Sequence, residues 1–417
     1  MPVLGGKPLA YSDEERRTSL LVISSAPAAI VDEKPFLDIK FVEGMRYYND
    51  LWDGPVSCIL KLRDGTFPFG KIYAPDQLPF NLTLLPGDKG IGIEEISGHD
   101  IILCGGDNHE HLHLADICRA ARKKLVFIIE NIPKTRRQII FLDPSRNLPR
   151  KLYSLLWSMR QERRRRRAFR IADGIQANGY PAFSIYSPMN ANTMMYLDNR
   201  VGENLLATET EIGAREQRLL SGAPLRLLHS GRLEHLKGSQ DLVPIARRLA
   251  AKGVDFTLDI FGTGSLEDEI RKGVAEYGLQ DSGRLNGAVD FESKLVPFAR
   301  EHADIYLSCH RQSDPSCTYI ENMGCGLAII GYANRMWSAL CQESRAGRVA
   351  PLGNAQALAD AVVEAAKDRQ RLAASCRASR HFAGQHSFEN EFRTRIEHLQ
   401  MFASGQPGKE QRDYRAS

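Results

Sequence analysis

Nowhere in this sequence do two cysteines form a C-x-x-C pair, although it holds eight: Cys58, Cys104, Cys118, Cys309, Cys317, Cys325, Cys341 and Cys376. Most sit in apolar runs, so buried, reduced thiols of a cytosolic protein are expected rather than a disulfide framework. Long apolar runs are missing as well. Stretches such as 125–129 fall far short of the roughly 20 residues that cross a bilayer. The start of the chain lacks the basic-then-apolar layout of a secretory signal. Charge of one sign is not in large excess: a formal net charge of +4 gives no argument for nucleic acid as a partner. These absences leave a cytoplasmic protein, with attachment to a membrane surface still open.

What is present is enough chain for two cores, because 417 residues exceed one ordinary domain. Short β-branched runs alternate with segments of helical period. In the first half, strands are expected at 19–23, 56–62, 100–103, 124–129 and 174–177. In the second they are expected at 225–229, 256–261, 284–285, 305–308 and 328–331. Runs apolar on both faces and separated by helices predict an α/β fold of parallel sheets covered on both sides. Residues 64–98 are rich in Pro and Gly and give weak signals. Ser239 is expected to cap a helix with Leu242, Ile245, Ala246 and Leu249 inward, and Asn354 another with Leu358, Val362 and Ala365 inward. The polar stretch around 196–222 sets a first domain at 1–200 and a second at 201–385. A final helix falls within 386–404, and the polar tail 405–417 reads as disordered.

Two segments carry most of the chemistry. After the apolar run 225–230, Gly231 permits a turn, and Arg232 and Lys237 follow on the loop. At the carboxyl end of a parallel strand such a loop faces the ligand crevice. An arginine there can grip a phosphate with two donors and a lysine adds a point charge. The plain alternative is a pair of solvated cations. After 305–308 the chain reads Asp314-Pro315-Ser316-Cys317-Thr318-Tyr319-Ile320-Glu321. Pro315 and Ser316 suit a helix start with Ser316 as N-cap and Glu321 in the second turn. Amides of Ser316, Cys317 and Thr318 would then meet an anion, and Glu321 would accept from ribose hydroxyls. The plain alternative for Glu321 is a helix-surface carboxylate.

In order and spacing these segments resemble glycosyltransferase family 4, the group 1 glycosyltransferases of GT-B fold. The matching pieces are Gly231-Arg232-Leu233 with Lys237-Gly238, then Asp259-Ile260-Phe261-Gly262-Thr263-Gly264, then Arg284-Leu285-Asn286-Gly287, and the run from Glu321 to Gly331. The resemblance implies two Rossmann-like domains facing a central cleft, the final helix returning to the first domain, and retention of anomeric configuration. It implies a nucleotide-diphosphate sugar as donor substrate and no other cofactor. Arg232 and Lys237 would hold the diphosphate, and Glu321 the ribose as the second glutamate of the E-x7-E pair. Gly231, Gly262, Gly264, Asn286, Ser316, Cys317 and Thr318 would border the donor. The first glutamate of that pair falls on Ser313, which leaves the sugar hydroxyls to Asp314 by a one-residue shift. No D-x-D occurs, so a metal-held diphosphate is not expected.

Acceptor choice would rest on the first half, where Glu130-Asn131-Ile132-Pro133-Lys134-Thr135-Arg136 and Gln176-Ala177-Asn178-Gly179-Tyr180-Pro181 are similar to runs in some bacterial polysaccharide transferases. His109 and His111, on a loop after 100–103, and Glu130, at a strand end, are the acceptor-side candidates. His109, His111 and His113 would not share a helix face, so no metal site is expected. Between Arg146 and Arg170 stand ten cations and one acid, Glu162. Leu148, Leu152, Leu155, Leu156 and Met159 recur at helical spacing beside them. That pattern fits a basic amphipathic helix on an anionic membrane surface, or a core-facing helix with a solvated basic back.

Together these readings give a transferase of bacterial surface-glycan synthesis. It would act on a glycan or lipid-diphosphate-linked acceptor, peripheral to the inner face of the cell membrane, with no nucleic acid. A sugar-nucleotide epimerase of the same fold and a non-catalytic scaffold of a polysaccharide assembly complex stay open beside it.

Overall fold

A computed structural model describes residues 17–143, 146–313 and 315–404. The tail at 405–417 and Asp314 lie outside the described residues. Two parallel sheets dominate. The first has seven strands in the order Thr193–Tyr196, Gly174–Asn178, Lys124–Ile129, Ile101–Gly105, Leu20–Ile23, Val56–Lys61 and Asn81–Leu85. The second has six, in the order Gly283–Gly287, Phe256–Phe261, Leu225–Ser230, Ile305–Ser308, Ala328–Tyr332 and Gly347–Ala350. Every pairing within both is parallel.

Each expected strand is present. Among the described residues, the strands the sequence pattern missed share a physical character. Asn81–Leu85, Thr193–Tyr196 and Gly347–Ala350 are sheet edges. Ala28–Val31, Lys34–Asp38 and Gly70–Ile72 form a small antiparallel sheet. Edge and antiparallel strands need only one buried face, so they lack the continuous apolar run of a central parallel strand.

Helices cover both faces of both sheets. Leu242–Ala251 buries Leu242, Ile245, Ala246 and Leu249 as expected. Its start differs: Ser239 opens a short 3-10 turn and the α-helix begins three residues later. Ser239 is buried and its hydroxyl turns to the Arg232 carbonyl at 3.4 Å, so it braces the loop rather than capping the helix. Asn354 does cap Ala355–Lys367, accepting from the Ala357 amide at 3.0 Å.

Residues 197–208 join the sheets, and Glu209–Leu220 then places Leu219 in the core of the second. The last helix, Phe388–Ser404, packs Phe392, Ile396 and Leu399 into the core around Leu20, Val22 and Leu60 of the first. All eight cysteines are free thiols.

Candidate active site

Three loops at the carboxyl ends of strands in the second sheet meet through contacts that only glycine permits. Gly238 has φ 74°, and a Cβ there would run into the Cys309 carbonyl. Gly262 has φ 124°, and a Cβ would strike the Gly231 carbonyl. Gly264 lies against Leu233, whose carbonyl a Cβ would meet at 2.5 Å. Backbone hydrogen bonds lock the same contacts: Leu233 N donates to Thr263 O at 2.9 Å and Gly262 N to Gly287 O at 2.7 Å. The spaced glycines therefore fix the loop that carries Arg232 and Lys237 against its neighbours. Glu234 tightens it further, accepting from Ser265 N at 3.1 Å and Ser265 Oγ at 2.6 Å. These bonds hold the Glu234 carboxyl below its ordinary range. Arg232 is exposed at the end of this frame and Lys237 is partly covered.

The second segment is reorganised relative to expectation. The helix runs Thr318–Gly324, with Cys317 at the N-cap position and no side-chain cap. Ser316 therefore lies before the helix, and its hydroxyl pairs with Thr318 Oγ1 at 2.8 Å. Glu321 falls in the first turn instead of the second. The Ser316–Thr318 hydroxyl pair competes with capping, which moves the start along the chain. Ser313, standing where a glutamate was expected, is buried and its Oγ accepts from Arg335 N at 3.4 Å. Asn286 is exposed at the edge strand, and its Nδ2 donates to Asp259 Oδ1 at 3.0 Å.

Glu321 is only 4% exposed. Its Oε1 accepts from Arg200 Nε at 2.7 Å, and the Arg200 guanidinium lies 4.0 Å from the centre of the Phe291 ring. Burial works against the Arg200 charge, yet the Glu321 carboxylate outweighs it and holds the guanidinium above its ordinary value. Beside them Lys40, from the helix Ile39–Leu51 on the first sheet, bonds Asp198 at 2.6 Å. Burial opposes the Lys40 ammonium; Asp198 reverses that and raises its pKa. Loss of hydration, with Glu321 adding to it, pushes the Cys317 thiol up to about 12, so it stays protonated. Lys40, Asp198 and Arg200 escaped the sequence reading because one is an ordinary helix-start lysine and the others lie in the polar connection between domains.

Gly179 marks where the halves touch. With φ 75° it lets the first domain approach Pro315 and Met336, which a Cβ would meet at 2.8 and 3.0 Å. Tyr180 OH donates to Glu343 at 2.8 Å across the same joint. The run Gln176 to Pro181 thus contains a domain contact.

The acceptor-side candidates separate. His109 and His111 line a cavity of about 390 Å³ with Lys61, Asp88, Glu110 and Arg164. His111 is buried, its Nδ1 bonds the Gly105 carbonyl at 3.1 Å, and burial lowers its pKa. Glu130 lies at the next strand's end and does not line that cavity; its backbone N donates to Asp107 at 2.8 Å. Among the described residues no cluster of His, Cys, Asp or Glu could hold a metal ion.

The helix Leu148–Ile171 buries Gln161, Arg165, Ala168 and Phe169. Arg165, inside the arginine run, is therefore part of the core: Nε donates to Gly106 O at 2.8 Å and Nη1 to Glu162 at 3.0 Å. No helix is long and apolar enough to cross a membrane among the described residues.

Residues 224–368 match the family model of the group 1 glycosyl transferases. The GtfA subunit of a UDP-N-acetylglucosamine–peptide N-acetylglucosaminyltransferase of Streptococcus gordonii is 31% identical over 109 residues, covering 26% of this chain and 21% of that one. The amylovoran biosynthesis glycosyltransferase AmsK of Erwinia amylovora is 30% identical over 148 residues, covering 33% and 34%. The chain thus spans about a third or less of the length of these relatives. A crystal structure of Anabaena HepE in complex with UDP superposes with a TM-score of 0.61 at 16% identity, covering 93% of this chain and all of that one. The fold is GT-B, and residues 224–368 are similar to the group 1 glycosyl transferases.

Proposed function

We propose that the protein transfers a sugar, with retention, from a nucleotide-diphosphate donor to a hydroxyl of a lipid-linked or polysaccharide acceptor at the inner face of the cell membrane. The observation that carries this reading is the glycine-locked loop of Arg232 and Lys237, set one strand away from the strand that leads to Glu321. Arg232 and Lys237 stabilise charge as it develops on the leaving diphosphate, in a frame that needs no rearrangement to do so. Glu321 receives the ribose hydroxyls, and Asp314 the sugar hydroxyls. His109, His111 and Glu130 lie on the acceptor side. The names of the relatives agree with it: one is named for UDP-N-acetylglucosamine, another for amylovoran biosynthesis, and HepE was crystallised with UDP.

A thermal-shift panel of nucleotide diphosphates and their sugars, beginning with UDP, tests it. A ligand at 100 times its Kd stabilises the folded chain by about 2.7 kcal/mol. One nucleotide class is expected to shift the transition, and Arg232→Ala combined with Lys237→Ala to abolish the shift. A shift that survives in the double variant would overturn the phosphate assignment.

A further inference from the structure

We infer that the helical hairpin of Pro133–Leu142 and Leu148–Ile171 docks the protein on an anionic bilayer. Four side chains on the longer helix are strongly exposed: Leu148 (82%), Leu152 (60%), Tyr153 (71%) and Leu156 (59%). Phe141 and Leu142 at the end of the companion helix are 57% and 52% exposed. None of residues 148–160 is buried, and burial begins only at Gln161. The first half of the longer helix therefore stands out from its domain with apolar side chains in solvent. A contiguous patch of this kind marks an interaction surface.

The second half packs on the domain and carries a different chemistry on its exposed side. Arg160, Arg163, Arg167 and Arg170 are exposed. At 1.5 Å per residue, Leu152 and Arg163 lie roughly 16 Å apart along the axis. Exposed Arg150 and half-buried Lys151 already stand between Leu148 and Leu152, so apolar and basic groups are interleaved at that end and the basic ones continue along the helix. A helix built that way lies at the headgroup boundary, its apolar side chains dipping into the acyl layer and its arginines held at the phosphates.

Charge selects the occupant. Between residues 133 and 171 the acids are Asp143 and Glu162. Both are already engaged: Asp143 pairs with Arg146 at 2.7 Å, and Glu162 with Arg165 and Arg166 at 3.0 and 2.9 Å. A second copy would set arginines against arginines, whereas anionic headgroups complement them. At the base of the projecting half, Trp157 packs edge-on against His109, their ring centres 4.8 Å apart. Docking therefore brings the carboxyl edge of the first sheet, with its polar cavity, towards the lipid surface. That this edge receives a lipid-linked acceptor rests on the transferase reading; the docking does not.

Trp157 is a built-in reporter. It is 41% exposed, whereas the other two tryptophans, Trp52 and Trp337, are buried. The full chain is expected to float with vesicles of phosphatidylcholine plus phosphatidylglycerol and not with phosphatidylcholine alone. Its emission should shift to the blue on binding, and Trp157→Phe should remove the shift. Leu152→Asp with Leu156→Asp should abolish flotation, and Arg160→Glu with Arg163→Glu should weaken it at least tenfold. Both pairs are solvent-exposed and should keep the wild-type melting curve. Equal binding to neutral vesicles, or binding that survives either pair, overturns the inference. So does a sedimenting dimer that the Leu152→Asp, Leu156→Asp chain loses, which would make the patch a self-contact. Failure here is separable from failure of the transferase reading. The hairpin variants should retain the UDP-induced thermal shift, and Arg232→Ala with Lys237→Ala should retain vesicle binding.

Discussion

Arg200 and Glu321 join the connection between the two sheets to the helix that follows the Ile305–Ser308 strand, through a 2.7 Å charged hydrogen bond. Glu321 is almost wholly buried, so its carboxylate depends on that partner. Arg200→Ala leaves the carboxylate unpaired and is expected to destabilise the fold by about 2 kcal/mol, the scale of a hydrogen bond to a charged group. Adding Glu321→Gln should recover part of the loss, because a neutral amide is less costly to leave unpaired. Thermal or urea denaturation of the single and double variants measures this. Strictly additive losses would mean that the two residues do not act as a pair.

The arginine run shows how far sequence reaches and where it stops. Five consecutive arginines at 163–167 are indistinguishable in sequence, yet helical geometry turns one of them inward. Arg165 is 2% exposed and donates to the Gly106 carbonyl and to Glu162, while Arg163 is exposed. Arg165→Ala removes one member of a buried pair and is expected to cost about 3 kcal/mol. Arg163→Ala should lie within about 0.5 kcal/mol of the parent chain. Equal effects in urea denaturation would refute the assignment.

The same limit applies elsewhere. Central parallel strands announced themselves, because burial on both faces demands an apolar run. Edge strands such as Asn81–Leu85, with buried and exposed positions interleaved, did not. The Gly238, Gly262 and Gly264 pattern was legible because close backbone approach excludes every other residue there, and Gly231 because its φ of 143° favours glycine. Arg200 was not legible. Its role comes from where the chain places it, beside a carboxylate more than a hundred positions away, and nothing local to Asn199-Arg200-Val201 signals that.

Acid should unfold the protein before its carboxylates are all protonated, and the reason lies in its buried imidazoles, His229 and His398 among them. His229 and His398 are pushed down to about 4, in each case chiefly by burial. The Nδ1 of His229 bonds the Leu307 carbonyl at 3.0 Å, and the Nε2 of His398 bonds the Asn192 carbonyl at 3.1 Å. An unfolded histidine titrates near 6.5, so below that pH the unfolded chain binds protons that the folded chain refuses. The stabilisation is complete above about pH 6.5 and is lost as pH falls towards about 4. At 1.36 kcal/mol for each pH unit, each histidine accounts for about 3 kcal/mol across that window. Melting temperatures measured from pH 7.5 down to pH 4.5 should therefore decline steeply below pH 6.5. His229→Gln carries no titrating group and is expected to start lower at neutral pH and to fall with a shallower slope. A variant whose slope matches the parent would show that His229 is not one of the groups responsible.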